Sequence, residues 1–299
     1  MRRNLATLDV LYVISHRSRD GTREILAALR AEGLALRVFV DEGEGFFQSQ
    51  RINSLARRAF AEDQIDAVVP IDADEMLVVD DRAAFERSLA ALPGNTGGVM
   101  QWLTYVPSAA DDPAELCPVR RLVHRFDVGP RWATLVPERI DPMRCKVVVG
   151  RWFAGLESAW IFEGNHVVVV DGEPRAAPVA GIANAHFPVR TDEQLARKGV
   201  LGWLSFLASG QEPEKHGFAL HWKRICERIG AGETLGPDDV REFVALYAPD
   251  AKARPLLRDP LPHGDYAIRY AHLRQPRPLV EAVVQLAEGM ARRLGGAGA

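Results

Sequence analysis

The chain is poor in cysteine: its 299 residues include three, Cys117, Cys145 and Cys226, far apart and without a C-x-x-C pair. An odd number at such spacing argues against a disulfide framework and against a structural zinc site, and suits a reducing compartment. Long apolar runs are missing as well. Nothing approaches the roughly 18 consecutive apolar residues of a membrane span. Met1-Arg2-Arg3-Asn4-Leu5 is not followed by the apolar core of a signal peptide. The expectation is a cytoplasmic protein with no membrane span. Neither sign of charge dominates: 37 basic residues face 40 acidic ones, a formal net charge of −3 with no Lys/Arg-rich arm. That argues against nucleic acid as the main partner and leaves room for a local basic pocket for phosphates. There is no internal repeat and no low-complexity linker. What is present, 47% apolar and 26% charged residues, is ordinary for a globular protein long enough for one large α/β domain with an appendage.

The first half has an α/β rhythm. Val10-Leu11-Tyr12-Val13-Ile14 is a continuous apolar run, as in a strand buried on both faces. Asp20-Gly21-Thr22 opens a helical stretch with Ile25, Leu26 and Leu29 on one side and Gly33 as its terminator. Leu36 to Val40 reads as a second strand, Gln48 to Phe60 as a helix, and Ala67 to Ile71 as a third buried strand ending at Asp72. Short connections between alternating strands and helices imply a mostly parallel sheet covered by helices. Beyond Asp81 the pattern becomes antiparallel and irregular, with strand-like pieces at Val99 to Tyr105, Lys146 to Val149 and His166 to Val170. Asp171-Gly172 marks a hairpin. From Thr191 the chain is helical: Thr191 and Gln194 form a capping-box pattern for a helix running to Ser209 before Gly210. Pro237 to Tyr247 and Pro278 to Leu294 are further helices, and residues 295–299 a frayed tail. This divides the chain into residues 1–190, an α/β domain, and residues 191–299, a helical extension packed on the core.

Candidate chemistry concentrates at Val68-Val69-Pro70-Ile71-Asp72-Ala73-Asp74-Glu75-Met76-Leu77. Ligands of open α/β sheets bind at the carboxyl ends of strands. Side chains two apart on an extended segment point the same way, so Asp72 and Asp74 can converge on one object. Crowded carboxylates repel unless a cation or protons intervene, and Mg²⁺ or Mn²⁺ suits such hard oxygen ligands. A strand-end turn with solvated aspartates is the bland alternative. A haloacid-dehalogenase-type phosphatase also uses an Asp-x-Asp pair at a strand end, but at the fold's first strand and followed by a different segment.

Two further segments carry a family resemblance. His16-Arg17-Ser18-Arg19-Asp20-Gly21-Thr22-Arg23-Glu24-Ile25-Leu26 resembles the Ser-x-Asp-Gly-Thr turn of family 2 glycosyltransferases. Asp72-Ala73-Asp74-Glu75-Met76-Leu77 is similar to the Asp-x-Asp-Glu-Phe-Leu form of a family 2-like bacterial branch. Between them, Gln50-Arg51-Ile52-Asn53 occupies the place of that family's Ala-Arg-Asn helix. Gly164-Asn165-His166 and Ala185-His186-Phe187-Pro188-Val189-Arg190, followed by Glu193-Gln194-Leu195 and Lys198, are similar to later segments. The resemblance covers residues 8–200. It implies a GT-A fold, a Rossmann-like mixed sheet with helices on both faces, together with a nucleotide-diphosphate sugar donor and Mn²⁺ or Mg²⁺. The acceptor would be a glycan, a lipid-linked molecule or a small molecule. Asp74 would fix the metal, with Asp72 joining it or serving the ribose, and His186 would be a third ligand, the alternative being a hydrogen-bonded histidine at a strand end. His16, Arg17 and Asp20 would lie near the nucleoside, and Arg51, Arg190 and Lys198 near the base or diphosphate. The family's usual first strand should precede Leu8, where only seven residues stand, so the expected sheet lacks it, and the family's acidic base-binding position holds Ser15 or His16.

An inverting transferase needs a general base. Glu157 is the candidate, with a solvated surface glutamate as the alternative. Trp102, Tyr105, Trp132, Trp152, Phe153 and Trp160 fall in the region that would face an acceptor, where one or two are expected to line the site and the rest to be core. His166 is either a ligand or acceptor contact or part of a turn, and His216, His221, His263 and His272 show no ligand spacing. The non-catalytic alternative is a degenerate nucleotide-sugar-binding protein.

Overall fold

The computed structural model describes residues 1–43, 45–79, 81–129, 145–211, 219–248, 255–262 and 268–296; Trp132, His216 and His263 lie outside them. In chain order its main elements begin with β1 (Leu11–His16), α1 (Thr22–Ala31), β2 (Leu36–Asp41), α2 (Gln48–Asp63), β3 (Ala67–Val68) and β4 (Glu75–Val79). There follow α3 (Arg82–Ala90), β5 (Gly97–Thr104), β6 (His124–Phe126), β7 (Cys145–Gly150), β8 (Trp160–Ile161), β9 (Val168–Val170), β10 (Glu173–Pro174) and β11 (Ala176–His186). The last are α4 (Asp192–Ala208), α5 (Leu220–Gly230), α6 (Pro237–Ala245), β12 (Leu256–Arg258) and α7 (Leu279–Gly296). The chain is mixed α/β, and no described helix is long and apolar enough to cross a membrane.

Two compact units share these elements. One comprises Met1–Asp9, Gln48–Pro188 and Val244–Tyr266, the other Val10–Phe47, Val189–Phe243 and Ala267–Ala299. Each unit draws on three separate stretches of the chain. Residues 10–47 group with C-terminal helices, and residues 244–266 group with the sheet.

The first unit is built on a five-stranded sheet of order β3-β7-β5-β11-β4, in which β5 and β11 are parallel and the other neighbours antiparallel. The expected third parallel strand over 67–71 is corrected here: only Ala67 and Val68 are strand, and they pair antiparallel with β7. Pro70 has no N–H to give to a ladder, and the chain turns directly after it. Cross-strand partners share a face. Met100 pairs with Lys146, Trp102 with Asn184, Asn184 with Leu77, and His186 with both Thr104 and Glu75. Those residues therefore lie on one face. At one end of that face Leu77, Met100, Val148 and Ile182 pack with Phe85 of α3; the polar members occupy the other end. The opposite face is apolar apart from Gln101, with Val99, Val147 and Val149 against Ala56 and Phe60 of α2, and Leu103, Ala183 and Ala185 against Val119 and Leu122. Asn4, buried in a short N-terminal helical turn, covers the free edge of β4: its amide donates to the Glu75 carbonyl and its Oδ1 accepts from Leu77 N–H. The β9–β10 hairpin forms at Asp171-Gly172 as the sequence predicts, with both residues left-handed (φ 54° and 84°), as a tight primed turn requires.

In the second unit β1 and β2 pair in parallel from Leu11↔Leu36 to His16↔Asp41, joined by α1, whose Leu26 and Leu29 are buried. Gly21 precedes α1 at φ 85°, and a Cβ there would stand 1.9 Å from the Leu273 carbonyl oxygen. Only glycine fits that contact. Thr191 caps α4 by accepting from Gln194 N–H at 3.1 Å. Gln194 returns its Oε1 to Arg190 N–H at 3.0 Å, one residue before the position a capping box prescribes. Helix α5, which the sequence pattern did not single out, packs against α4.

Candidate functional site

The polar end of the sheet face holds the Asp-x-Asp segment in a form different from the one expected. Residues 72–75 are a turn, closed by Glu75 N–H donating to the Asp72 carbonyl at 3.0 Å, rather than an extended run. Alternate side chains therefore do not project together. Asp72 turns toward β7, and Asp74 toward His186 at the end of β11, with 3.8 Å between Asp74 Oδ2 and His186 Nε2. Asp72 and Glu75 are the pair that share a partner.

That partner is Lys146. Its ammonium lies 2.7 Å from Glu75 Oε1 and 3.0 Å from Asp72 Oδ2, and donates to the Gly164 carbonyl at 2.6 Å. Glu75 is 1% exposed and accepts four hydrogen bonds. Lys146 and Trp102 Nε1–H (3.1 Å) serve Oε1; Asp72 N–H (2.8 Å) and the Asn184 amide (3.0 Å) serve Oε2. Burial raises the pKa of Glu75 and Lys146 opposes it. Four donors on two oxygens leave no place for a proton, so the ionised form fits the geometry. Burial alone would lower the pKa of Lys146, but the facing carboxylates of Asp72 and Glu75 raise it and keep the ammonium charged. Asp72 Oδ1 also accepts from Gln48 (2.7 Å) and Asn165 (3.3 Å), which ties the end of the strand to α2 and to the turn at 163–165.

Trp102 is the centre of an aromatic cluster. His186 stacks on it at 4.4 Å, His166 and Tyr247 meet it edge-on at 4.9 and 5.5 Å, and Lys146 Nζ lies 4.8 Å from its ring. His166 Nδ1 is 2.8 Å from the Cys145 carbonyl, so the neutral ring donates there and presents an unprotonated Nε2. Burial, with the Lys146 charge adding to it, pushes the His166 pKa down to about 4. Asn165 Oδ1, Asn184 Oδ1 and His186 Nδ1 are buried without a hydrogen-bond partner. Orphaned atoms are uncommon in a finished interior, and here three residues with one each border the same carboxylates.

Of the expected site residues, Asp72, Asp74 and His186 meet in this cluster. Among the described residues no three His, Cys, Asp or Glu side chains are grouped to hold a metal by themselves; Asp72 is directed to Lys146 instead. Arg51 lies on α2, facing the charge of Glu163. Glu157 sits in the exposed turn between Leu156 and Ala159 and takes no part in the cluster's hydrogen bonds. The other candidates belong to the second unit. His16 Nε2 lies 2.6 Å from the Gly43 carbonyl, and Arg17 is left-handed (φ 48°) with its N–H on the Asp41 carbonyl. Asp20 Oδ1 accepts from Thr22 N–H at 3.2 Å and Oγ1–H at 2.6 Å, which starts α1. Arg190 is held by Gln194, and Lys198 acts on His221 by its charge. Trp102 lines the cluster, Tyr105 and Phe153 are core, Trp152 packs against the core, and Trp160 is exposed.

Sequence reasoning missed Lys146, Asn184, Gln48 and Tyr247, and gave Glu75 no role of its own. One signal was available: a single lysine before Val147-Val148-Val149 is a charge in a buried strand, which needs a partner. Comparison with known proteins finds no matching family model, curated protein or solved structure.

Proposed function

We propose that the chain is a metal-dependent glycosyltransferase of the family 2-like bacterial branch with a GT-A fold, acting in the cytoplasm. It would move a sugar from a nucleotide-diphosphate donor to a glycan, lipid-linked or small-molecule acceptor. The observation that supports this reading is the charge at the turn. Asp72, Asp74 and Glu75 place three carboxylates in one turn, the Lys146 ammonium bridges Asp72 and Glu75, and Asp74 faces the imidazole of His186 across 3.8 Å. That gap exceeds a hydrogen bond. A carboxylate oxygen and an imidazole nitrogen are both donors that Mn²⁺ accepts, and such ions complete their shell with substrate phosphates and water. Asp74 and His186 are therefore the residues to hold it, and the bound ion would supply charge stabilisation to a departing diphosphate. Glu75 and Lys146 orient the turn, while Trp102 supports the His186 ring. By the resemblance, Arg51 of the same unit serves the donor.

Calorimetric titration with a panel of nucleotide-diphosphate sugars, with and without Mn²⁺, tests the reading. Metal-dependent binding, weakened at least about tenfold in Asp74→Ala (about 1.4 kcal/mol), is expected. Metal-dependent hydrolysis of the bound donor separates turnover from binding alone. No binding of any donor under either condition would refute the proposal.

A further inference from the structure

Lys146 is a fully buried cation, with a side chain 1% exposed. Three oxygens from two segments, the turn 72–75 and the turn at 163–165, surround its ammonium at 3.0, 2.7 and 2.6 Å: Asp72 Oδ2, Glu75 Oε1 and the Gly164 carbonyl. Two of them are charged, and the indole of Trp102 closes another side. This is the environment of a bound cation, provided by the chain itself. The remaining oxygens of the pair are also met from within. Gln48 and Asn165 donate to Asp72, and Asp72 N–H and Asn184 donate to Glu75.

We propose that Lys146 is a positioning residue: its ammonium is a tethered cation that fixes the turn 72–75, commits Asp72 and Glu75 to the interior, and leaves Asp74 with His186 as the side that receives an exchangeable metal. A buried ammonium is stable only when its partners are close and complete, and here they are. Without it, Asp72 and Glu75 would face one another as like charges and the turn would open. The tether itself stands on geometry alone, whereas the exchangeable-metal half rests on the transferase reading.

The test uses the full chain labelled with ¹⁵N-tryptophan. Trp102 Nε1–H donates to Glu75, so its indole resonance, assigned with Trp102→Phe, reports the pair directly. Lys146→Ala is expected to displace that resonance. Ammonium chloride should return it by refilling the cage, and tetramethylammonium at equal ionic strength, being too large, should not. Lys146→Arg, which keeps the charge, should restore most of it. A resonance unmoved by Lys146→Ala, or displaced and indifferent both to ammonium and to Lys146→Arg, overturns the tether. If Lys146→Ala fails to fold in sodium buffer, recovery of folded protein in ammonium but not in tetramethylammonium is the expected result; equal recovery overturns it. Mn²⁺ binding followed by electron paramagnetic resonance, with a nucleoside diphosphate present, tests the other half. Asp74→Asn should weaken it at least tenfold and Asp72→Asn less than threefold, and the reverse order overturns the assignment of sides. A native chain that binds no Mn²⁺ sinks the transferase reading and this half with it, while the indole result still judges Lys146.

Discussion

Replacing Glu75 with glutamine preserves shape and removes one charge, and the geometry determines what that costs. Oε1 receives Lys146 and Trp102, and Oε2 receives Asp72 N–H and Asn184. Whichever way the new amide is turned, its NH₂ group meets two donors. Each buried donor left without an acceptor costs about 1–3 kcal/mol, and breaking one side of a buried ion pair costs about 3–5 kcal/mol. These contributions share the same atoms and do not add, so a loss of about 3–5 kcal/mol is expected. Asp74→Asn is the matched comparison. It makes the same change of charge at a side chain 19% exposed rather than fully buried, so its cost should stay below that of Glu75→Gln. Urea unfolding followed by circular dichroism, with unchanged m-values, measures both. Equal losses, or less than about 1 kcal/mol for Glu75→Gln, would refute the reasoning. A loss that small for Glu75→Gln would mean that burial has prevailed over Lys146 and that Glu75 is already neutral in the folded protein.

Gly21→Ala places a methyl group 1.9 Å from the Leu273 carbonyl in a left-handed conformation. It should cost at least about 2 kcal/mol, and an unchanged melting temperature would contradict the packing at that turn. Burial, with Lys198 adding to it, pushes the His221 pKa down to about 4. The folded value is thus below the unfolded value of about 6.5, so the contribution is fully present above pH ~6.5 and is lost as pH falls toward ~4. Its ceiling is about 3 kcal/mol, and partial exposure of the ring brings the expectation to about 2. His221→Phe should remove that share of the acid slope, leaving the share of His166, and an unchanged slope would show that the ring is solvated.

The parts of the fold that sequence reveals are those set by local chemistry. Asp171-Gly172 makes its hairpin, Thr191 caps its helix, and Gly33 ends α1 at φ 87° because the residues themselves favour those conformations. What stays hidden depends on neighbours far along the chain. β11 contains Ala-Ala-Pro-Val-Ala-Gly-Ile-Ala-Asn-Ala-His, small residues with little strand preference of their own, and it is a strand because β5 and β4 flank it. The register that sets Asn184 beside Trp102 and His186 beside Glu75 is a tertiary fact.

The same distinction applies to the site. Two aspartates separated by one residue suggest convergence only if the backbone between them is extended, and Pro70 followed by the turn at 72–75 removes that condition. The turn instead gives residues 72 and 75 a common partner, a spacing that strand periodicity does not favour. That partner lies 74 residues from Asp72, so the sequence shows the carboxylates side by side but not the cation they share. The argument that crowded carboxylates need a cation therefore holds in a different form. The charge that holds Asp72 and Glu75 together belongs to the chain, while Asp74 faces the histidine stacked on Trp102.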